Sequence, residues 1–371
     1  MFKICQQSLC TCGFIVSLFF AALVSANQPN IVLFNVDDLG WSDLGYSGSR
    51  FYESHNVDSL AAEGVIFNNA YACAPNCAPS RACLMSGMYS ARHGIYTVAN
   101  ADRGKNSDRK LIPVNNMTVL ADDIVTLPEQ LQMAGYRTGH FGKWHLGPDP
   151  KTQGMDVNIA GKTWGSPSGG GYHSPFNFPN LVEKDKGKYL TDRISEEAVK
   201  FIHQNSKQPF FLYLAHYAVH TPIQPRKDYE SYFKSRSPDR GHSNAGYAAM
   251  VKSMDESLGR VLETLKELGL DGNTIVIFTS DNGGHGGVTS NRPLRGSKGM
   301  LYEGGIRVPF VVRWPGKIGK ARTIDKPIIG VDILPTLLDA AGAKPVANQP
   351  VDGVSILPLL TNPDGQLDRE Y

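Results

Sequence analysis

Two short runs of the sequence end in the same way. NIVLFNVDDLG (30–40) and NTIVIFTSDNGG (273–284) are rich in β-formers, break at two oxygen-bearing side chains and pass straight into glycine. Asp37, Asp38, Asp281 and Asn282 therefore offer hard oxygen donors, which suit Ca²⁺ or Mg²⁺ rather than zinc or copper. Such side chains also cap strand-to-helix turns, and for either pair alone turn chemistry explains them better. Their recurrence at two matching strand ends favours a shared cation.

Four cationic or titratable residues add to this set. Lys143 and His145 lie in GKWHLG, His220 in AVHTP and Lys298 in RGSKG, mostly among glycines that allow a ligand close approach. Singly, each reads as a solvated side chain. Together they can neutralise a tetrahedral oxyanion whose remaining charge faces a metal.

NCAPSRACLMSGMYSARHG (76–94) poses a separate question, because Cys77 is one of three cysteines, with Cys73 and Cys83, that remain once an export signal is removed. The C-x3-C-x5-C spacing lacks the tight knuckle of a zinc site, and no histidine pair follows it. The C-x5-R loop of a thiolate phosphatase would put arginine where Cys83 stands, and Arg81 comes too early for it. Pro79 suits a first helical turn, so a helix over Ser80–Met88 would aim its positive end at residue 77. A small buried apolar cysteine is the common alternative. Cys73 and Cys83 either pair or stay free.

The elements that must position these groups alternate along the chain. Apolar runs at 30–40, 136–147, 209–222 and 273–284 read as strands, and Thr191–Gln204, 247–269 and 331–342 read as helices. That alternation predicts an α/β domain with a mostly parallel central sheet and helices on both faces, with ligand chemistry beyond the carboxyl ends of the strands. The segment 148–180, with GSPSGGGYHSP, reads as a long functional loop or rim rather than core.

Composition narrows the function classes. The 371 residues carry a net charge of +2, near enough to neutral to argue against a dedicated nucleic-acid binder or a polybasic membrane binder. Residues 1–26 have Lys3, an apolar stretch over 13–24 and small residues before Asn27, the pattern of a secretory signal and too short to span a bilayer, so 27–371 is expected to be exported, periplasmic or secreted. The end of the sequence reads as if another element were about to begin, which suggests a fragment. Asn116, in NMT, is a glycosylation sequon whose blander reading is an unmodified loop asparagine.

CAPSR matches the C-x-P-S-R signature of the type I, formylglycine-dependent sulfatases of the alkaline phosphatase superfamily, and GKWHLG resembles that family's second signature. FNVDDLG, AVHTP, TSDNGG and KGMLYEGGIRVP stand in the family's order, so the resemblance runs from about Asn30 to Leu360. It implies an alkaline-phosphatase-like fold whose smaller C-terminal subdomain is truncated, with 27–371 as the catalytic domain. It also implies that a maturation enzyme converts Cys77 to formylglycine, whose hydrated aldehyde attacks the sulfur of a sulfate ester and later expels sulfate. Asp37, Asp38, Asp281, Asn282 and residue 77 would hold Ca²⁺, with Mg²⁺ as the alternative. Arg81 would steady the modified residue, His145 would partner the diol proton, His220 would protonate the leaving alcohol, and Lys143 and Lys298 would hold the sulfate. His216 has no such role and reads as structural.

HYAVHTPIQP and TSNRPLRGSKG resemble bacterial sulfatases acting on sulfated sugars, which points to a sulfated carbohydrate or aryl sulfate substrate, with Arg292, Arg295 and the loop containing Tyr172 and His173 as candidate sugar contacts, for which solvated surface is an equal reading. A phosphodiesterase or phosphonate hydrolase with the same modified cysteine, and an inactive carbohydrate-binding relative, are the alternatives.

Overall fold

The computed structural model describes residues 28–102, 104–319, 321–367 and 369; the expected signal over 1–26 lies outside them. Eight strands build the main sheet: β1 (Asn30–Val36), β2 (Val65–Phe67), β3 (Arg137–Gly142), β4 (Val157–Ile159), β5 (Phe210–Ala215), β6 (Thr274–Ser280), β7 (Phe310–Arg313) and β8 (Arg322–Ile324). Their spatial order is β8-β2-β7-β6-β1-β5-β3-β4. All neighbours pair in parallel except β7, which runs antiparallel to both β2 and β6.

β1 is buried along its whole length because it is apolar on both faces, as a central parallel strand must be. Val32, Phe34 and Val36 point into one core with helices α1 (His55–Glu63), α4 (Leu190–Asn205) and α5 (Ala245–Glu267). Ile31 and Leu33 point into the other, with α2 (Cys77–Ser86), α3 (Leu127–Met133) and α6 (Ile333–Ala340). This is the doubly covered α/β architecture expected, and α4, α5 and α6 fall where the three helical patterns predict.

Two expectations need correction. The helix after the cysteine motif starts at Cys77 itself, with Asn76 as its N-cap, so Cys77 stands in the first turn rather than in front of it. Pro79 remains in that turn, where a missing N–H costs nothing. The segment 148–180 is not merely a rim. It contributes β4 as an edge strand, and Phe176–Phe178 pairs with Leu181–Glu183 in a separate hairpin. Met155, Ala160, Tyr172, Phe176 and Phe178 from this segment are buried. Its glycines and prolines hide how many aromatic residues it sends inward.

Candidate active site

Because β1, β3, β5 and β6 are parallel neighbours, their carboxyl ends open on one edge of the sheet. β1 ends at Val36 and delivers Asp37 and Asp38, and β6 ends at Ser280 and delivers Asp281 and Asn282. β3 ends at Gly142 and delivers Lys143, while β5 ends at Ala215 and leads to His216 and His220. The strand-end loops are tied to each other: the N–H of Asp281 donates to Val36 O at 3.1 Å, and Asp37 exchanges two backbone bonds with Ala218 and Val219. Gly142 is required here, since a Cβ would lie 2.0 Å from Ala215 O and its φ is +111°.

α2 brings the remaining groups, with all ten of its residues buried. Cys77 Sγ donates to Asp37 Oδ1 at 3.4 Å. Burial first, and the nearby Asp37 carboxylate second, push this thiol far above its ordinary pKa. One turn on, Arg81 Nε donates to Asp281 Oδ2 at 2.8 Å and Nη1 to Lys143 O at 2.7 Å, while Nη2 is buried without a partner.

Each acid is matched to a cation. Lys143 Nζ sits 2.6 Å from Asp37 Oδ2, with both side chains at 0% exposure. Burial alone would raise the Asp37 pKa, but Lys143, His220 and Arg81 outweigh it and hold the carboxyl below the usual carboxylate range. Lys298 Nζ lies 2.7 Å from Asp38 Oδ2, and Asn282 Nδ2 donates to Asp38 Oδ1 at 2.8 Å. Besides Arg81 Nη2, two further polar atoms of the expected set stay buried and unpartnered, Asn282 Oδ1 and His145 Nδ1. Orphaned groups of this kind at full burial point to a ligand or ion that satisfies them.

Ligand atoms of Asp37, Asp38, Cys77 and His220 all lie within 4.8 Å of one another. His220 is thus in closer company with the β1 acids than sequence reasoning placed it, its Nε2 being 3.7 Å from Asp38 Oδ2. Its Nδ1 is 2.6 Å from Thr221 O, which assigns the Nδ1 proton to that carbonyl and leaves Nε2 facing the acids. Asp281 is adjacent, accepting from Asp38 N at 3.3 Å and from Arg81. Asp38 and His145 both occupy the left-handed region, φ 62° and 64°, a conformation uncommon outside glycine that clusters at functional sites. The His145 ring packs so tightly on Gly165 that a Cβ there would come within 2.6 Å of Cε1. Burial, then Lys143 and Arg81, push His145 down to about 2, so the ring is neutral at any working pH.

The candidate sugar contacts separate. Arg292, Arg295 and His173 are exposed, and Arg295 stacks over the Tyr302 ring at 3.9 Å. Tyr172 is a correction: it is 0% exposed and cannot touch a substrate. Its hydroxyl instead donates to Tyr217 O and His220 O at 2.7 and 2.8 Å, bracing the His220 loop. His216 is buried against Ser257 Oγ at 2.7 Å and packs on Phe34, in line with a structural role. The Asn116 amide is engaged with the backbone of Tyr96, Thr97 and Ala99, a loop-tying role.

Asp43 was not anticipated. Its buried carboxylate accepts from Gly40 N at 3.0 Å, Tyr247 Oη at 2.6 Å and Thr289 Oγ1 at 2.9 Å, fastening the loop after Asp38 to α5 and to the 283–291 loop. The repeat of D-L-G in DDLGWSDLG was the one sequence signal for it.

Comparison with known proteins agrees with this fold. The sulfatase family profile matches residues 29–343. A sulfatase of Formosa agariphila is 38% identical over 86% of this chain and 69% of its own length. Mouse N-acetylgalactosamine-6-sulfatase is 34% identical over 90% of this chain and 66% of its own. The chain thus spans about two thirds of the length of these relatives. The crystal structure of Ps i-CgsB superimposes with a TM-score of 0.77 at 32% identity, covering 89% of this chain and 76% of that one, and another structure of that protein holds k-i-k-neocarrahexaose. With its mostly parallel, alkaline-phosphatase-like sheet and its ordered motifs, this chain belongs to the sulfatase family.

Proposed function

We propose that the protein is an exported sulfuric ester hydrolase acting on a sulfated carbohydrate, with residue 77 as nucleophile. The observation that carries this reading is the convergence of Asp37, Asp38, Cys77 and His220 donors within 4.8 Å, flanked by two lysines. The substrate class draws support from Ps i-CgsB, whose complex holds an oligosaccharide, and from N-acetylgalactosamine-6-sulfatase.

Oxygen donors of Asp37, Asp38, Asp281 and Asn282 fit Ca²⁺, and the unpartnered Asn282 Oδ1 is the donor such an ion would satisfy. The cation would supply Lewis-acid charge, and conversion of Cys77 to formylglycine by a maturation enzyme would supply a hydrated aldehyde in place of a thiol. Burial and the Asp37 carboxylate push the unmodified Cys77 thiol up, which disfavours it as a nucleophile and supports the modified form.

The chain's own groups then divide the work. Lys143 and Lys298 bind the sulfate oxygens and balance the acids beneath them. Arg81, with Nη2 free, holds the oxygens of residue 77. His145, neutral, accepts a hydrogen bond from the nucleophile. His220 delivers a proton from Nε2 to the departing alcohol oxygen, its ring being oriented by the Thr221 carbonyl.

Mass spectrometry of the peptide containing residue 77, from protein exported by a host with the maturation enzyme, tests the nucleophile; an intact thiol in active protein refutes it. Comparing aryl sulfate with aryl phosphate diester tests the ester class, and faster turnover of the diester would favour the phosphonate-hydrolase alternative.

A further inference from the structure

The loop after Asp38 and the loop after Asn282 meet at two glycines. A Cβ on Gly40 would lie 2.7 Å from Asp43 Oδ2 and 3.0 Å from Asn291 Oδ1, and one on Gly284 would lie 3.1 Å from Gly40 Cα. The approach is close because neither position carries a side chain. Asp43 is fully buried at this junction, and its two oxygens hold different loops. Oδ2 takes the Gly40 N–H, two residues after Asp38, and the Tyr247 hydroxyl, whose oxygen also lies 3.4 Å from Asp38 O. Oδ1 takes the hydroxyl of Thr289, on the loop after Asn282. Two residues further, Asn291 closes a pair of bonds with Gly284: Gly284 N donates to Asn291 Oδ1 at 3.1 Å, and Asn291 Nδ2 donates to Gly284 O at 2.9 Å. Gly284 O accepts again from Lys298 N at 3.1 Å, so the backbone of Lys298 is tied to the same junction.

We propose that Asp43 is a positioning residue for the cation and sulfate end of the site, setting the spacing between Asp38 and Lys298 through the loop that carries each. Those two side chains meet at 2.7 Å, Lys298 Nζ on Asp38 Oδ2, and they come from opposite sides of the junction. Asp43 is not among the four donors that converge within 4.8 Å, so it acts on them only through the backbone it holds. Asp38 needs such support, because its left-handed backbone, φ 62°, is one that a non-glycine residue keeps only when its surroundings impose it. Outer partners that orient metal ligands typically cost about 10–100-fold in metal affinity when they are lost. This assignment rests on the reading above of Asp38 as a cation ligand and Lys298 as a sulfate holder.

Calorimetric titration of Ca²⁺ into the metal-stripped protein, beside thermal melts of the same samples, tests the assignment. Asp43→Ala is expected to weaken Ca²⁺ binding about 10–100-fold. Thr289→Val keeps the side chain's shape and removes only the hydroxyl. It should weaken Ca²⁺ binding about three- to tenfold and raise the KM for nitrophenyl sulfate at saturating Ca²⁺ by a similar factor, and Thr289→Ser should restore both. Tyr247→Phe, which deletes the bond on the other oxygen, should also weaken Ca²⁺ about three- to tenfold, so Thr289→Val and Tyr247→Phe carry the test where Asp43→Ala fails to fold. Melting temperatures that fall while Ca²⁺ affinity and KM stay at the parent values make the junction purely structural and overturn the proposal. A parent protein that binds no Ca²⁺ is a separate result, which overturns the cation reading and this assignment with it.

Discussion

Cys77 and Cys83 share one helix and are both buried, yet their surroundings differ in sign. Cys77 faces the carboxylates of Asp37, Asp38 and Asp281, and burial together with these anions drives its thiol far up. Cys83 faces donors, Cys73, His93 and Ser90, and is brought down to about 5. Burial raises both thiols; the difference teaches that the carboxylates beside Cys77 add to that rise while the donors around Cys83 reverse it. At the first turn of α2 the surroundings disfavour a thiolate; at its last turn they favour one.

The largest test of that contrast is Cys77→Ala, which should lower aryl sulfate turnover by at least about 10⁴-fold, the scale of losing a nucleophile, while leaving the circular dichroism spectrum unchanged. Residual activity near the parent level would transfer the nucleophile elsewhere. His220→Ala comes next: with an alkyl or sugar sulfate the rate should fall about 10²–10⁴-fold, with nitrophenyl sulfate about tenfold or less, because nitrophenolate needs no proton to leave. Equal losses on both substrates would end the proton-donor assignment.

Asp281→Ala should weaken Ca²⁺ binding about 10–100-fold by calorimetry, through a lost ligand and a freed Arg81. Unchanged affinity would remove Asp281 from the donor set. A smaller effect concerns pH. Burial holds His140 and His216 at about 3, well below the unfolded value near 6.5, so the unfolded chain binds protons that the folded one refuses. Stability is complete above about pH 6.5 and is lost as pH falls towards 3, with a slope of up to about 1.4 kcal/mol per pH unit for each histidine. Thermal melts between pH 7 and 4 should show the decline, and a flat midpoint would contradict it. Smallest of all, Cys83→Ser should leave aryl sulfate turnover within about threefold. A loss comparable to Cys77→Ala would erase the distinction between the two ends of α2.

The sequence by itself determined the four central strands of the eight-stranded sheet, β6, β1, β5 and β3, and the chemistry's parts list. Apolar runs that stop at Asp37–Asp38 and Asp281–Asn282 read as central strands with polar ends, and CAPSR and GKWHLG supply the reactive residue types. The local signals were strong because strand burial and motif spacing are written in neighbouring residues. Tertiary structure alone decided how those parts combine. Lys143 meeting Asp37, Lys298 meeting Asp38 and Arg81 meeting Asp281 are contacts between residues 106, 260 and 200 positions apart. No periodicity encodes such pairings. Tyr172, in a loop read as a sugar contact or solvated surface, is inside bracing His220, because the glycine-rich segment folds its aromatics inward. His93, unremarked in the chain, became a partner of Cys83 only when α2 and the turn after it closed together. Side-chain electrostatics depend on distance in space, and distance in space is what a linear sequence does not carry.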